Sequence, residues 1–443
     1  MSGNSLDRYA DRYAVRTANL TASEVRALFA VANRPEVISL AGGMPYTTAL
    51  PLDAVGEMMG DLISRRGASA LQYGSGQGDA RLRERICDVM ALEGVTASAD
   101  DVVVTVGSQQ ALDIISRVFL DPGDVVVAEG PSYVGALGTF AAAQAEVVHV
   151  QMDGDGLVPA ALAETLADLT GAGRRPKFLY TIPNFHNPAG VTLSVERREQ
   201  ILDIAERYDL LVVEDNPYGL LGFDRDPLPA LASHDRDRVI YLGSFSKTFS
   251  PGLRVGWVTA PHPVKEKIVL VSESQVLCPP TFNQIAVAEY LDTQPWLEQV
   301  KVFRELYRER RDAMLDALDA LMPPGCSWTE PDGGFYVWLT LPDGLDAKVM
   351  QPRAVHGRVA YVPGIGFYGN GDGVRQMRLS YCFPEPERIR EGIRRLATVV
   401  EQEIDLRRTF LPDSPAATDR SLSDARPGRA DRLGARGFGP GPF

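Results

Sequence analysis

Cysteine is scarce in this 443-residue chain. The four present (Cys87, Cys278, Cys326 and Cys382) form no CxxC pair and have no histidine at metal-ligand spacing. That pattern excludes a disulfide framework, gives no zinc site, and fits a reducing, cytoplasmic setting. Long apolar runs are missing too. None approaches the ~20 residues needed to span a bilayer, and the chain opens on Ser, Asn, Asp and Arg with no apolar stretch of a secretory leader. Positive charge is in deficit: 45 Lys and Arg against 58 Asp and Glu leave a formal net charge of -13. Such a balance argues against a nucleic-acid partner, because phosphate backbones attract basic surfaces. There is no internal repeat. What remains is a chain 45% hydrophobic, enough for a large core and, at this length, two domains.

Apolar, β-branched segments alternate with helical ones. The segments at 101–106 (DVVVTV), 124–129, 177–183, 210–218 and 239–247 read as strands, with helical patterns such as GSQQALDIISRVFL and VERREQILDIAERYD between them. Strands that are nearly continuously apolar imply an α/β fold with a mostly parallel sheet covered on both faces. Functional loops then belong at the carboxyl ends of the strands. Residues 281–321 read as helical. After the Pro323, Pro324, Gly325 break, the strings GGFYVWLTL, VAYVPG and MRLSYCF predict strands and PERIREGIRRLATVVEQEI a closing helix. The expected division is an N-terminal arm and part of a small domain (1–48), a large domain (49–321), a smaller α+β domain (322–410) and a disordered tail (411–443). A helix capped by Thr21 or Ser23 would contribute to the small domain.

The sharpest chemical signal is SFSKTFSPGLRVGW at 244–257. Alone, a lysine after a strand is usually a solvated charge. Here Lys247 follows a buried strand, where desolvation disfavours its ammonium form and frees the amine to attack an aldehyde. Ser244, Ser246 and Arg254 would offer hydroxyls and a bidentate cation to a phosphate. VGSQQALD at 106–113 sets Ser108 and Gln109 at a strand-to-helix junction, which suits either an anion or ordinary capping by Ser108. LVVEDNPY places Asp215 just past a strand, where a carboxylate can keep a pyridine nitrogen protonated. PNFHNPAG offers Asn187 in a Pro-flanked loop, as a donor or as a plain turn residue.

These strings together resemble the fold-type I, pyridoxal-phosphate (PLP)-dependent aminotransferases of class I/II, above all the branch with 2-aminoadipate and kynurenine aminotransferases. The resemblance covers about Val15 to Leu406. It implies PLP as cofactor, with Lys247 as the imine-forming lysine and Asp215 as partner of the ring nitrogen. Tyr218 and Asn187 would bind the ring hydroxyl, and Tyr133 would stack on the ring. Ser108, Gln109, Ser244, Ser246 and Arg254 would form the phosphate cup. Tyr73 would reach the phosphate of a neighbouring subunit, which implies a homodimer with shared sites. Arg378 would clamp the substrate α-carboxylate, helped by Asn187 and the backbone near Gly43. Arg26 aligns with an arginine that some relatives place over a distal carboxylate, and it could equally be an exposed helical charge.

The activity implied is transfer of an amino group between an amino acid and a 2-oxo acid, glutamate and 2-oxoglutarate being one pair. The other amino acid would be 2-aminoadipate, an aromatic or a branched-chain one. A PLP-dependent lyase, decarboxylase or cyclase remains an alternative on the same scaffold. A PLP-sensing transcription regulator is disfavoured, since about 35 residues precede the scaffold, too few for a DNA-binding domain. GIGFYG at 364–369 spells GxGxxG, but no helical pattern or acidic partner follows it, so a dinucleotide site is not expected. His186 is assigned at most to the pocket wall.

Overall fold

A computed structural model describes Tyr9, residues 11–17 and residues 34–410. Arg26, the expected N-terminal helix and the tail from Leu411 lie outside the described residues. Residues up to Glu403 belong to one compact unit. The second begins at Ile404 and contains, among the described residues, the last turns of the closing helix.

The first strands in chain order are β1 (Ile38–Ser39), β2 (Val102–Thr105), β3 (Val125–Gly130), β4 (Glu146–Asp153), β5 (Gly156–Leu157), β6 (Pro176–Thr181), β7 (Leu211–Asp215), β8 (Val239–Ser244) and β9 (Gly256–Thr259). Eight of them form one sheet in the order β2-β9-β8-β7-β6-β3-β4-β5. The run from β8 to β4 is parallel, whereas β9 lies antiparallel to both its neighbours. The expected mostly parallel sheet is therefore present. Val103, Val126, Phe178, Val213, Ile240 and Val258 pack with Leu112, Ile115, Phe140 and Ile268 of the helices Ser108–Phe119, Val134–Ala142 and His262–Val276. Burying each such side chain contributes about 1.5–3 kcal/mol, which is why these strands need no polar alternation.

A second sheet is antiparallel, in the order β10-β11-β14-β13, built from β10 (Ser327–Trp328), β11 (Tyr336–Thr340), β13 (Val362–Pro363) and β14 (Gln376–Ser380). The VAYVPG string is not one strand. Its first part, β12 (Val359–Ala360), pairs with β1, and its second part pairs with β14. Between them the buried Tyr361 hydroxyl donates to the Ala347 carbonyl, so the chain changes partner at an anchored side chain. The expected helix over 281–321 is likewise two, Thr281–Thr293 and Trp296–Leu321. Pro295 between them cannot supply the backbone N–H that a continuous helix needs. The GxGxxG segment folds as a 3-10 turn, Gly364–Phe367, and carries Phe367 into the core.

Candidate active site

The carboxyl ends of β2, β3, β6, β7 and β8 share one edge of the large sheet, and a cleft of about 380 Å³ opens there. Its lining includes Gly43, Ser108, Gln109, Tyr133, Asn187, Asp215, Tyr218, Ser244, Ser246, Lys247, Arg254 and Arg378. Seven separate strings of the sequence thus converge on one cleft. Tyr73 does not join them: it is 77% exposed, in the loop between the helices Leu52–Ala70 and Ala80–Ala91.

Lys247 Nζ donates to the Gly43 carbonyl at 2.8 Å. Burial pushes its ammonium down to about 8, with repulsion from Arg378 and Arg254 adding to the effect. Asp215 sits at the end of β7, 3% exposed. Its Oδ2 accepts from the Tyr180 hydroxyl at 2.8 Å, while Oδ1 is buried with no protein partner. Burial raises this carboxyl to about 6, against the pull of the Tyr180 hydrogen bond and of Lys247. A buried carboxylate with one satisfied oxygen is a receptor for a cationic N–H.

At the far end of the cleft, Gly107 caps the helix Ser108–Phe119 with φ 75°, and Ser108 is the first helical residue rather than the cap. A β-carbon on Gly107 would stand 2.5 Å from Arg254 Nη2, and one on Gly256 would press on the Ser108 amide at 2.8 Å. Glycine at both positions lets the guanidinium and the helix N-terminus approach each other. Arg254 itself has φ 55° and donates to the Val106 carbonyl at 3.2 Å. The Ser244 and Ser246 hydroxyls are 2.8 Å apart. Free helix amides, two hydroxyls and a guanidinium together form a cradle for a dianion.

Between these ends, the Tyr133 hydroxyl donates to Gln109 Oε1 at 3.3 Å, and burial raises its phenol to about 12. The Tyr218 hydroxyl lies 3.4 Å from that of Tyr336. Arg378 is gripped from both strand neighbours, paired with Trp338 on β11 and Val362 on β13. Its Nη1 donates to Asn187 Oδ1 at 2.9 Å and its Nη2 to the Ala41 carbonyl at 2.8 Å, while its buried Nε has no protein partner. Its guanidinium stacks 4.2 Å over the Tyr336 ring. Because Asn187 accepts through Oδ1, its amide nitrogen is left to donate into the cleft.

Tyr180 and Tyr336 are contributors that sequence reasoning missed. His186, given at most a place in the pocket wall, lies behind it. It does not line the cleft; it is fully buried, with Nε2 3.1 Å from Glu129 Oε2 and Nδ1 accepting from the Ala189 amide.

An amine whose proton burial has loosened, a buried carboxylate with an open oxygen, and an anion cradle beyond them match the amine site, ring nitrogen and phosphate of PLP. Fold and site thus define a fold-type I PLP-dependent enzyme. The pattern of the family described as "Aminotransferase class I and II" matches residues 35–396, and the chain belongs to that family. Aromatic-amino-acid aminotransferase 1 of Thermococcus litoralis is 41% identical over 399 residues, spanning 89% of this chain and 95% of that protein. The crystal structure of Pyrococcus horikoshii kynurenine aminotransferase superposes with a TM-score of 0.86 at 38% identity, covering 90% of this chain and 99% of that one. An α-aminoadipate aminotransferase from Thermus thermophilus, complexed with N-(5'-phosphopyridoxyl)-L-leucine, gives 0.84 at 36% identity, covering 90% and 100%. The protein is a PLP-dependent aminotransferase that moves amino groups between amino acids and 2-oxo acids.

Proposed function

We propose that this aminotransferase works as a cytoplasmic homodimer, takes glutamate and 2-oxoglutarate as one pair, and takes 2-aminoadipate, an aromatic or a branched-chain amino acid as the other. The observation that carries the site assignment is the placing of Lys247, the open oxygen of Asp215 and the buried Arg378 around one cleft. Bound PLP supplies an aldehyde carbon that captures amines and a pyridinium ring that draws electrons from the substrate Cα–H bond. Asp215 keeps the ring nitrogen protonated. Asn187 and Tyr218 donate to the ring oxygen, and the Tyr133 ring covers one face. Ser108, Gln109, Ser244, Ser246 and Arg254 hold the phosphate. Arg378 binds the substrate α-carboxylate, with Asn187 and the Gly43 backbone beside it. Lys247, its ammonium weakened by burial, would remove the Cα proton as general base and return it as general acid to the former aldehyde carbon, two bonds away across the nitrogen.

Exposed Tyr73 supports the dimer, since an aromatic hydroxyl outside its own cleft is free to enter a partner's. The four unpaired cysteines support the cytoplasmic setting. Met44, Val134, Ile182 and Tyr336 give the cleft an apolar wall, suited to large side chains, and the named relatives act on aromatic and aminoadipate substrates. We assign 49–321 to a large domain and 322–410, with the segment before residue 49, to a small one, following the two sheets.

The test is a single half-reaction. PLP-loaded protein mixed with glutamate alone should yield stoichiometric 2-oxoglutarate, and a screen of 2-aminoadipate, aromatic and branched-chain donors then finds the second substrate. No 2-oxoglutarate from glutamate would remove that pair from the proposal. In the same assay Arg26→Ala should hurt acidic donors more than aromatic ones, and equal losses would remove Arg26 from specificity.

The depressed lysine has its own pH signature. Only the neutral amine attacks an aldehyde, and the Lys247 ammonium titrates near 8 rather than 10.5. Capture of PLP by the apoenzyme is therefore expected to quicken about tenfold per pH unit below 8 and to level off above it. Stopped-flow absorbance reads this directly. A rate still climbing toward pH 10 would mean an ordinary lysine.

A further inference from the structure

Behind the cleft, five side chains that line no part of it form an unbroken buried chain of hydrogen bonds. Arg198 Nη2 donates to Asn184 Oδ1 at 2.6 Å, and Asn184 Nδ2 donates to Asn216 Oδ1 at 2.9 Å. Asn216 Nδ2 then donates to Glu93 Oε1 at 2.7 Å, and the Tyr241 hydroxyl donates to Glu93 Oε2 at 3.0 Å. All five residues are at least nine-tenths buried. The turn after β7 closes over the Glu93 carboxylate so tightly that a β-carbon on Gly219 would collide with Glu93 Oε1 and stand 2.7 Å from Asn216 Oδ1.

The direction of each bond from Arg198 to Glu93 is forced. Arginine only donates, so Asn184 must turn its oxygen to Arg198 and its amide to Asn216. Asn216 must then accept from Asn184 and donate to Glu93, which must present an acceptor. A buried polar chain of this kind does not stabilise a core better than well-packed apolar side chains would, so its effect is to be sought in the geometry it imposes. That geometry is specific. Asn216 follows Asp215 directly, and its backbone N–H is pinned to the Leu242 carbonyl at 2.9 Å. Asn184 lies three residues before Asn187. The bond between the two asparagines therefore ties the turn that carries Asp215 and Tyr218 to the loop that carries Asn187.

We propose that Asn216, locked between Glu93 and Asn184, is a positioning residue that sets Asp215 and Asn187 in register for the two sides of the cofactor ring, and so governs cofactor retention. The proposal rests on the assignment of those two residues to the ring. Its test exploits the direction of the chain. Asn216→Asp sets a carboxylate against Glu93 and is expected to raise the PLP dissociation constant about tenfold or more. It should also move the pH midpoint of the visible absorbance of the bound cofactor, which reports donation from Asn187. Adding Glu93→Gln reverses the bond: the new amide donates to the new carboxylate, and its oxygen still accepts from Tyr241. The double variant should return to within about threefold of wild-type affinity and to the wild-type midpoint, a coupling that two independent structural defects would not show.

Wild-type affinity in Asn216→Asp, or a double variant no better than the sum of its parts, overturns the proposal. Should the single variant be insoluble, the double variant decides by itself: affinity within threefold supports the proposal, and a larger loss overturns it. If the wild-type protein binds PLP but both variants behave like it, the positioning role fails and the site assignment stands. If wild type gives no cofactor band, the site assignment is what fails.

Discussion

Lys247→Ala is expected to lower transamination by about 10⁴-fold or more and to erase the visible absorbance of lysine-bound PLP. The side chain is assigned two tasks, capturing the aldehyde and moving the Cα proton, and general acid–base transfer alone contributes about 10²–10⁴-fold. Both tasks need a neutral amine, which the cleft favours by burying Lys247 and holding it near 8. Lys247→Arg should fail equally. A guanidinium keeps its proton at any working pH, so it can neither attack nor abstract. That second variant separates the chemistry from simple retention of positive charge. Because the lost interactions belong to the transition state, kcat should collapse while KM for the amino acid, which the proposal assigns to Arg378, moves far less. Single-turnover kinetics with saturating PLP measure both, and turnover above about a hundredth of wild type in either variant would take Lys247 out of the reaction.

Lys247 and Asp215 were legible because each is a charge at the end of an apolar strand, where burial is costly unless something pairs with it; Arg378 was named only through the family resemblance. Tyr180 and Tyr336 were not. A tyrosine inside KFLYTIP or GGFYVWLTL reads as core, and the Tyr180 hydroxyl finds its carboxylate 35 residues away. Glu93 was still less visible. It follows the helix Ala80–Ala91 by two residues, a place that reads as solvent-facing, and only the closure of the 216–219 turn buries it. His186, beside Asn187 in sequence, is turned instead to the buried Glu129.

The fold followed the same logic. The parallel strands were readable because helices cover both faces and leave only apolar positions. β4 was missed because, toward the sheet edge, only one of its eight residues is fully buried. β9 was hidden because its first two residues close the string at 244–257, which was read for chemistry rather than for pairing. The register that sandwiches Arg378 between Trp338 and Val362 is long-range, and no local pattern carries it.

Asp215→Asn is expected to reduce kcat by about 10²–10⁴-fold in a folded, PLP-saturated protein. The substitution is nearly isosteric, and the new amide oxygen can still accept from the Tyr180 hydroxyl, so the end of β7 should keep its shape. What disappears is the negative charge proposed to face the ring nitrogen. Removing one partner of a buried charge pair costs about 3–5 kcal/mol, and if that cost falls on the transition state it is about 10²–10⁴-fold in rate. The companion variant Tyr180→Phe keeps the charge but deprives Oδ2 of the 2.8 Å hydrogen bond that orients it. The carboxyl then loses the contact that most opposes its rise under burial, and kcat should fall only about tenfold. Asp215→Glu retains the charge but lengthens the side chain in a site 3% exposed, so it should lie between the other two. The order Tyr180→Phe, Asp215→Glu, Asp215→Asn, from mildest to most severe, is the expected result of pre-steady-state measurements at saturating cofactor. If Asp215→Asn stays within about threefold of wild type, the carboxylate is not holding a charged ring and the reading of the whole cleft must change.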